Sequence, residues 1–523
     1  MLSTKEIFEI EDSKSRNNIG KVIFSEKENY TTSIAGDKMF GWVKSSWKED
    51  ISAGDNLVVF HRESSFKFFV KVEKIQNYPI SAGGFEKKIS EIGTYLHLTP
   101  LLEIDPEQEY AGPPRPHNLS GFELDIPNPK ELGLMFNIPS DGLPLGHINE
   151  EKTTPFFYPL VPEDTRFQSW LIAGVQGKGK SIFAKLLIQS LTSKTTDSVV
   201  ILDREGEYQN FTSPSEMTDE GKKFFSKNEI KNTKPRVLKL SDDFFESTAT
   251  LSINSINMTD ILQLMPELQG KSSEVAQTII EKSLMTLHEK ELEKTWMNLR
   301  REIIEELNTS QLLSGVAGAQ IKGAIERAIS SHNLNLFDQK GKTLLTPENI
   351  FNEKTVTIID CQTLQPARQR MVALYLLLMV NKYKLHGNMN NEQGVLVVMD
   401  EAEFLFPKSP GNNEKDYVHR IEEMIKDPVR RGRKHHFGLI LITHEINDLS
   451  RAVTNLCNTK VIFGSSLVGN KLWFNENLGK QFANEVGSLL PGQCIINTEK
   501  TSIPINVKLH VPFIGNKEDF FGE

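Results

Sequence analysis

The stretch Gly174-Val-Gln176-Gly177-Lys178-Gly179-Lys180-Ser181 brings together the residue types that phosphate chemistry needs. Glycines let the backbone curl until successive N–H groups point at one anion. The apolar run Trp170–Ala173 leads in, and an amphipathic stretch (Ile182, Phe183, Leu186, Leu187, Leu191) leads out. A helix starting there adds the positive end of its dipole. In the spacing GxxxxGK[ST], Lys180 reaches the β- and γ-phosphates of a nucleotide and Ser181 offers its hydroxyl to Mg2+. The bland alternative, a Gly-rich turn without a ligand, fits the strand–loop–helix context poorly. The expected nucleotide-binding residues are Gly174, Gln176, Gly177, Lys178, Gly179, Lys180, Ser181 and Ile182, with ATP and Mg2+ as cofactors.

Val395-Leu-Val-Val-Met-Asp400-Glu401 reads as a buried strand delivering two carboxylates at its C-terminal end, where α/β sheets bind ligands. Asp400 is expected to hold Mg2+ through water, and Glu401 to polarise the attacking water as general base. Asp203-Arg-Glu205-Gly206-Glu207-Tyr208 ends another strand. On the residues alone it is either more acid on that edge or a solvated turn with Gly206 at positive φ. Arg430-Arg431-Gly-Arg433-Lys434 precedes the strand Leu439–Thr443. It is either a solvated basic face or a finger offered to a neighbour's γ-phosphate, and spacing does not choose. Thr443-His444-Glu445 ends that strand, with His444 either a γ-phosphate sensor or a structural histidine.

These groups need a sheet to hold them. Apolar runs ending at Ala173, Asp203, Asp360, Asp400, Ile442 and Phe463, several separated by helical stretches, predict a mostly parallel sheet covered on both faces. A charged helical stretch interrupts them, with the stripe Leu284, Leu287, Leu292, Trp296, Leu299, Ile303 and Leu307. Ahead of this, short runs at Gly20–Phe24, Asn56–Phe60, Phe66–Ile75 and Tyr95–Leu98 predict a small β-barrel or sandwich. Prolines 106, 113, 114, 116, 127, 129, 139 and 144 argue against regular structure between them and the core. The expected domains are a barrel over 1–105, a Pro-rich linker over 106–164, core over 165–258, a helical insertion over 259–335, core again over 336–508, and an extension over 509–523.

With 523 residues, 38% hydrophobic and 25% charged, the chain is long enough for several domains. A net charge of −9 argues against coating nucleic acid with the outer surface, but leaves room for a basic inner channel. Cys361, Cys457 and Cys494 lie too far apart for a zinc or disulfide framework. The N-terminus lacks an apolar leader, and the longest apolar run, Met371–Val380, is too short to span a bilayer. The expected location is cytoplasmic.

Taken together, the motifs resemble the HerA/FtsK superfamily of P-loop ATPases, and within it the HerA branch. LDREGEY is similar to that family's Asp-x-x-Gly-Glu-Tyr, MDEAEFLFP to its Walker B segment, and RRGRKHHFGLILITH to its Arg-Lys-x-Gly-x-x-x-x-x-x-Thr-Gln stretch. GLPLGHI, IGKVIF and LLPGQCIINTE resemble its approach to the core, its HAS-barrel and its closing strand. The resemblance runs from about residue 17 to about 510. It implies a RecA-like core and a homo-hexameric ring that moves on or unwinds double-stranded DNA. By carry-over, Glu401 is the catalytic base, Arg433 the finger acting in trans with Arg430 and Arg431 as neighbours, and Glu205 and Glu207 lie on the active-site edge. Three positions depart from the family pattern: His444 where it has Gln, Glu403 where it has His, and His436 where it has Gly. No nuclease or NADase motif is evident, nor room after about 510 for a winged-helix reader. The resemblance implies a separate effector subunit as partner, nuclease-like or a sirtuin-type NADase, in bacterial anti-phage defence. The competing expectation is a ring that binds ATP to assemble and regulate such a partner, moving little.

Overall fold

The computed structural model describes residues 20–23, 39–43, 51–77, 94–105, 107, 110–115, 122–136, 143–148, 168–209, 217–231, 233–265, 268, 271–330, 335–385, 394–411, 415–499, 501 and 503–510. They fall into two compact units, one drawn from 1–161, 471–489 and 493–510, the other from 162–470 and 490–492.

In the first unit, seven strands form one sheet: β1 (Gly20–Ile23), β2 (Met39–Val43), β3 (Asn56–Phe60), β4 (Lys67–Asn77), β5 (Thr94–Asp105), β6 (Tyr110–Gly112) and β7 (Glu123–Asp125). Their order is β2-β1-β7-β3-β4-β5-β6, every pair is antiparallel, and β2 also pairs with β5. Alternate residues, among them Leu57, Val59, Phe68, Val70, Leu96, Leu98 and Leu124, build the core. The register shifts of β4 between Phe69 and Val70 and between Val72 and Lys74 give that long strand local bends.

The proline-rich stretch carries more order than its composition suggests. Helix α1 (Pro129–Phe136) begins on a proline, where the missing N–H costs nothing. Asn128 and Glu131 cap it reciprocally: Glu131 N donates to Asn128 Oδ1 at 2.9 Å, and Asn128 N to Glu131 Oε2 at 3.1 Å. Strand β8 (Gly146–Ile148) follows.

The second unit alternates strand and helix: β9 (Ser169–Ala173), α2 (Lys180–Lys194), β10 (Ser198–Asp203), α3 (Asp219–Lys227) and β11 (Arg236–Lys239). A small parallel pair, β12 (Ala249–Leu251) and β13 (Thr343–Leu345), brackets four helices: α4 (Met258–Gln263), α5 (Lys271–Glu289), α6 (Trp296–Thr309) and α7 (Gly315–Ile329). The apolar stripe read from the sequence is divided between α5 and α6. Thr295 separates them by accepting Asn298 N at 3.3 Å. The sheet resumes with β14 (Val356–Asp360), α8 (Pro366–Val380), β15 (Val395–Met399), α9 (Lys415–His435), β16 (Phe437–Thr443) and β17 (Thr459–Phe463). Its order is β11-β14-β10-β15-β16-β9-β17, all parallel. Strands β9, β10, β14, β15 and β16 are buried along their whole length, as near-continuous Val/Ile/Leu runs must be.

The chain then returns to the first unit with α10 (Lys471–Leu478), α11 (Lys480–Glu485), β18 (Gln493–Asn497) and β19 (Ile505–Leu509), which pairs antiparallel with β18 and β8. There Lys71, fully buried on β4, donates to Glu485 Oε2 at 2.7 Å and lies over the Phe482 ring.

Candidate functional site

The chemistry-bearing residues gather at the C-terminal tips of β9, β10, β15 and β16. Between β9 and α2 the loop turns on Gly174, Gly177 and Gly179, at φ 154°, 73° and 110°. Gly174 has a second constraint: a Cβ there would lie 2.5 Å from Phe463 Cβ. Val175 N donates to Gly464 O and Gly174 N to Thr443 O, tying the loop to the ends of β17 and β16. Gly179 caps α2, whose first turn carries no acidic side chain against an incoming anion. Gln176 and Gly177 are exposed, Lys178 is half-buried with its carbonyl accepting Gly492 N at 3.0 Å, and Ile182 is buried.

Lys180 is only 5% exposed. Its Nζ donates to Val175 O at 3.2 Å and to His444 Nδ1 at 2.9 Å. Burial pulls its pKa down, against the pull of Asp400, Glu207, Glu403 and Glu401. With Nδ1 accepting, His444 carries its proton on Nε2, which lies 3.4 Å from Glu401 Oε1. His444 N donates to Glu403 Oε1 at 3.0 Å. One imidazole thus bridges the phosphate-loop lysine and the strand-end carboxylate.

The turn after β10 is shaped by Asp203, whose carboxylate accepts the backbone N–H groups of Gly206, Glu207 and Tyr208 at 2.9, 3.2 and 3.1 Å. This turn, with Gly206 at φ 78°, carries Glu207 to the loop, where Ser181 Oγ donates to Glu207 Oε2 at 2.5 Å. Asp400 is buried at the end of β15, and burial, then the Glu207 carboxylate, push it up to about 8. Glu401 sits in the left-handed region at φ 49°, a conformation that costs a non-glycine residue about 1–3 kcal/mol and is kept where surroundings over-determine it. Burial raises its pKa, opposed by Arg204.

Ser181, Glu207 and Asp400 are hard oxygen donors of the kind Mg2+ takes. A carboxyl pushed up first by burial and then by the Glu207 carboxylate is one whose charge a divalent cation would stabilise, so the donor set fits that ion. Among the described residues no group of three His, Cys, Asp or Glu side chains is arranged to hold a metal unaided.

Of the residues singled out from the sequence, Lys180, Ser181, Asp400, Glu401 and His444 come together. Glu205 stands at the rim, half-exposed: its backbone carbonyl accepts Gln362 Nε2 at 3.1 Å, and its carboxylate lies 3.9 Å from Arg204. Helix α9 carries Arg430 and Arg431 exposed; Arg433 is on the same helix, and its side chain lies outside the described residues. His436 turns from α9 into β16 at φ 53°, the backbone position where the resembled family has Gly. The guanidinium inside the site belongs to Arg204, which sequence reasoning passed over although it lies within LDREGEY. Arg204 pairs with Glu401 Oε2, donates to Gln369 Oε1 at 2.8 Å, and stacks 3.7 Å from the Phe404 ring centroid.

Residues 163–380 match the family model of the helicase HerA central domain, and residues 375–475 that of zonular occludens toxin (Zot). Comparison with curated proteins finds no match. The bacterial conjugative coupling protein TrwBdeltaN70 shares the fold at 13% identity and a TM-score of 0.51, over 76% of this chain and 96% of that one. VirB4 of Thermoanaerobacter pseudethanolicus gives 14% identity and a TM-score of 0.46, over 71% and 97%. The genome packaging NTPase B204 from Sulfolobus turreted icosahedral virus 2 gives 12% and 0.31, over 66% and 100%.

Proposed function

We propose that this chain, which carries a P-loop ATPase core of the HerA/FtsK type, works as a subunit of a homo-hexameric motor that hydrolyses ATP to move on double-stranded DNA. The observation that supports this reading is the line Lys180–His444–Glu401, which joins the lysine of the phosphate loop to the strand-end carboxylate read as the general base.

In this mechanism the loop amides of Gly174–Gly179 receive the β-phosphate. Lys180 leaves His444 and the Val175 carbonyl for the β/γ-phosphates. Ser181 and Asp400, with Glu207 beside them, would hold Mg2+, which when bound neutralises phosphate charge. Glu401 takes a proton from the attacking water as the water oxygen bonds to the γ-phosphorus and the bond to the ADP oxygen breaks. His444, released by Lys180, is free to meet the γ-phosphate. A neighbour's Arg433, or its Arg430 or Arg431, completes the charge balance in trans. The circular pairing of six antiparallel strands in the first unit supports reading it as a HAS-type barrel. Resemblance supports a separate effector, nuclease-like or a sirtuin-type NADase, and a role in anti-phage defence. Among the described residues no helix is long and apolar enough to cross a membrane, in keeping with the cytoplasmic location proposed.

The test is ATP turnover with and without linear double-stranded DNA at two salt concentrations. Turnover should rise with DNA, the rise should fade with salt as phosphate contacts are screened, and Lys180→Ala and Glu401→Gln should each abolish it. Equal turnover with and without DNA sinks the motor. A second reading, a ring that binds ATP to regulate its partner, draws on the engagement of Glu401 by both Arg204 and His444. Partner activation that survives Glu401→Gln supports it.

A further inference from the structure

Glu401 has both carboxylate oxygens engaged. Oε2 takes the Arg204 guanidinium, and Oε1 faces His444 Nε2 at 3.4 Å. A general base needs an oxygen free to accept from water, within about 2.6–3.2 Å of it. Arg204 is itself held on a track. Gln369 Oε1 fixes its Nε, and the face of Phe404, three residues after Glu401, supports the guanidinium plane. A second acceptor waits within reach: Glu205 Oε1 lies 3.9 Å from Arg204 Nη2, at the half-exposed rim. Arg204 thus presents Nη1 to Glu401 and Nη2 to Glu205, so that a shift closing the 3.9 Å gap to Glu205 draws Nη1 off Glu401.

Resting on the reading of Glu401 as the base, we propose that Arg204 is a positioning residue that parks Glu401 away from the attacking water and frees it by moving to Glu205. The two states have the same net charge and differ in which acid is paired, the kind of near-balanced element that a bound nucleotide or a neighbouring subunit tips. The Lys180–His444 contact reports the same resting state from the other side. When Lys180 turns to phosphate, His444 loses the partner that orients it toward Glu401, and Arg204 remains the last restraint.

The test measures kcat and KM for ATP, without DNA or partner, for the wild type, Arg204→Gln, Arg204→Lys, Glu205→Gln and Glu401→Gln, with melting temperatures alongside. Arg204→Gln is expected to raise kcat about 3- to 10-fold, the gain when a state populated at roughly 10–30% becomes the main one. KM should stay within about two-fold, since Arg204 touches Glu401 and not the phosphate loop. Arg204→Lys keeps the charge but loses the Gln369 contact and the stacking, so it should raise kcat less than Arg204→Gln does. Glu205→Gln, which removes the alternative acceptor at an exposed position, should lower kcat. A well-folded Arg204→Gln with unchanged or lower kcat overturns the proposal. So does Glu205→Gln with wild-type kcat, which decides the matter if Arg204→Gln does not fold. Wild-type turnover by Glu401→Gln would instead unseat the base assignment, whatever Arg204 does.

Discussion

Burial and the Glu207 carboxylate lift Asp400 to about 8, against an ordinary carboxylate value of about 3.9. Without nucleotide, folding therefore takes up a proton at this residue between about pH 4 and 8, and stability falls as pH rises through that window. Asp400→Asn removes the titration. It should raise the melting temperature of the nucleotide-free protein at pH 8 by roughly 2–8 °C, the equivalent of one to a few kcal/mol. The gain should shrink severalfold at pH 5, as differential scanning calorimetry would read. A gain equal at both pH values would show that Asp400 is not the group responsible. The same variant should lose Mg2+-dependent nucleotide affinity, so stability and function part at one atom. The loop and Asp400 were legible in the sequence because a glycine-rich turn between strand and helix, and an acid ending an apolar strand, are marked by residue type at fixed spacing. The Arg204–Glu401 and Lys180–His444 contacts span 197 and 264 residues and follow no such spacing. They become visible only when the parallel sheet sets the tips of β10, β15 and β16 beside one another.

Runs of Val, Ile and Leu announced six of the seven core strands, which end where the sequence reading put them, within one residue; the edge strand β11, exposed over its first two residues, carries no such run. In the first unit, β2, β6 and β7 escaped notice. Two of them, β6 and β7, are three residues long, too short to show alternation; β2 and β7 depend on partners far along the chain, while β6 folds back on the end of β5. The prolines misled in a different way: α1 starts on Pro129, where a proline is favoured. The contact between the phosphate loop and β17 is also a property of elements, not of the motif. Gly174→Ala would push a methyl group into Phe463 at the strand tip. We expect a stability loss of about 1–3 kcal/mol, as for other overpacked sites, from chemical denaturation, and weaker nucleotide binding. Phe463→Ala should recover neither loss in the double variant, because the atoms the methyl group meets, Phe463 Cβ, Cα and the carbonyl carbon, are all kept by alanine. Recovery would show that the Phe463 ring, and not the strand tip itself, excludes the methyl group.

At the scale of the assembled molecule, the question is whose arginine completes the site. Within one chain, Arg204 pairs with Glu401, and Arg430 and Arg431 lie at exposed positions of α9. A ring resolves this if α9 of one subunit serves the nucleotide of the next. Two inactive variants can then rescue each other: Glu401→Gln, which keeps the arginines, and Arg430→Ala/Arg431→Ala/Arg433→Ala, which keeps the base. In rings assembled at random from equal amounts, about a quarter of head-to-tail interfaces pair an intact base with intact arginines. Turnover of the mixture should therefore climb from near zero to at most about a quarter of wild type, less if neighbouring sites must fire in order. The recovery should need exchange of subunits, appearing after dilution and reassembly and not after brief mixing of preformed rings. A mixture as inactive as its parts, with mixed rings verified by mass photometry or native mass spectrometry, would place the arginines outside the site and leave each subunit to balance its own phosphate charge.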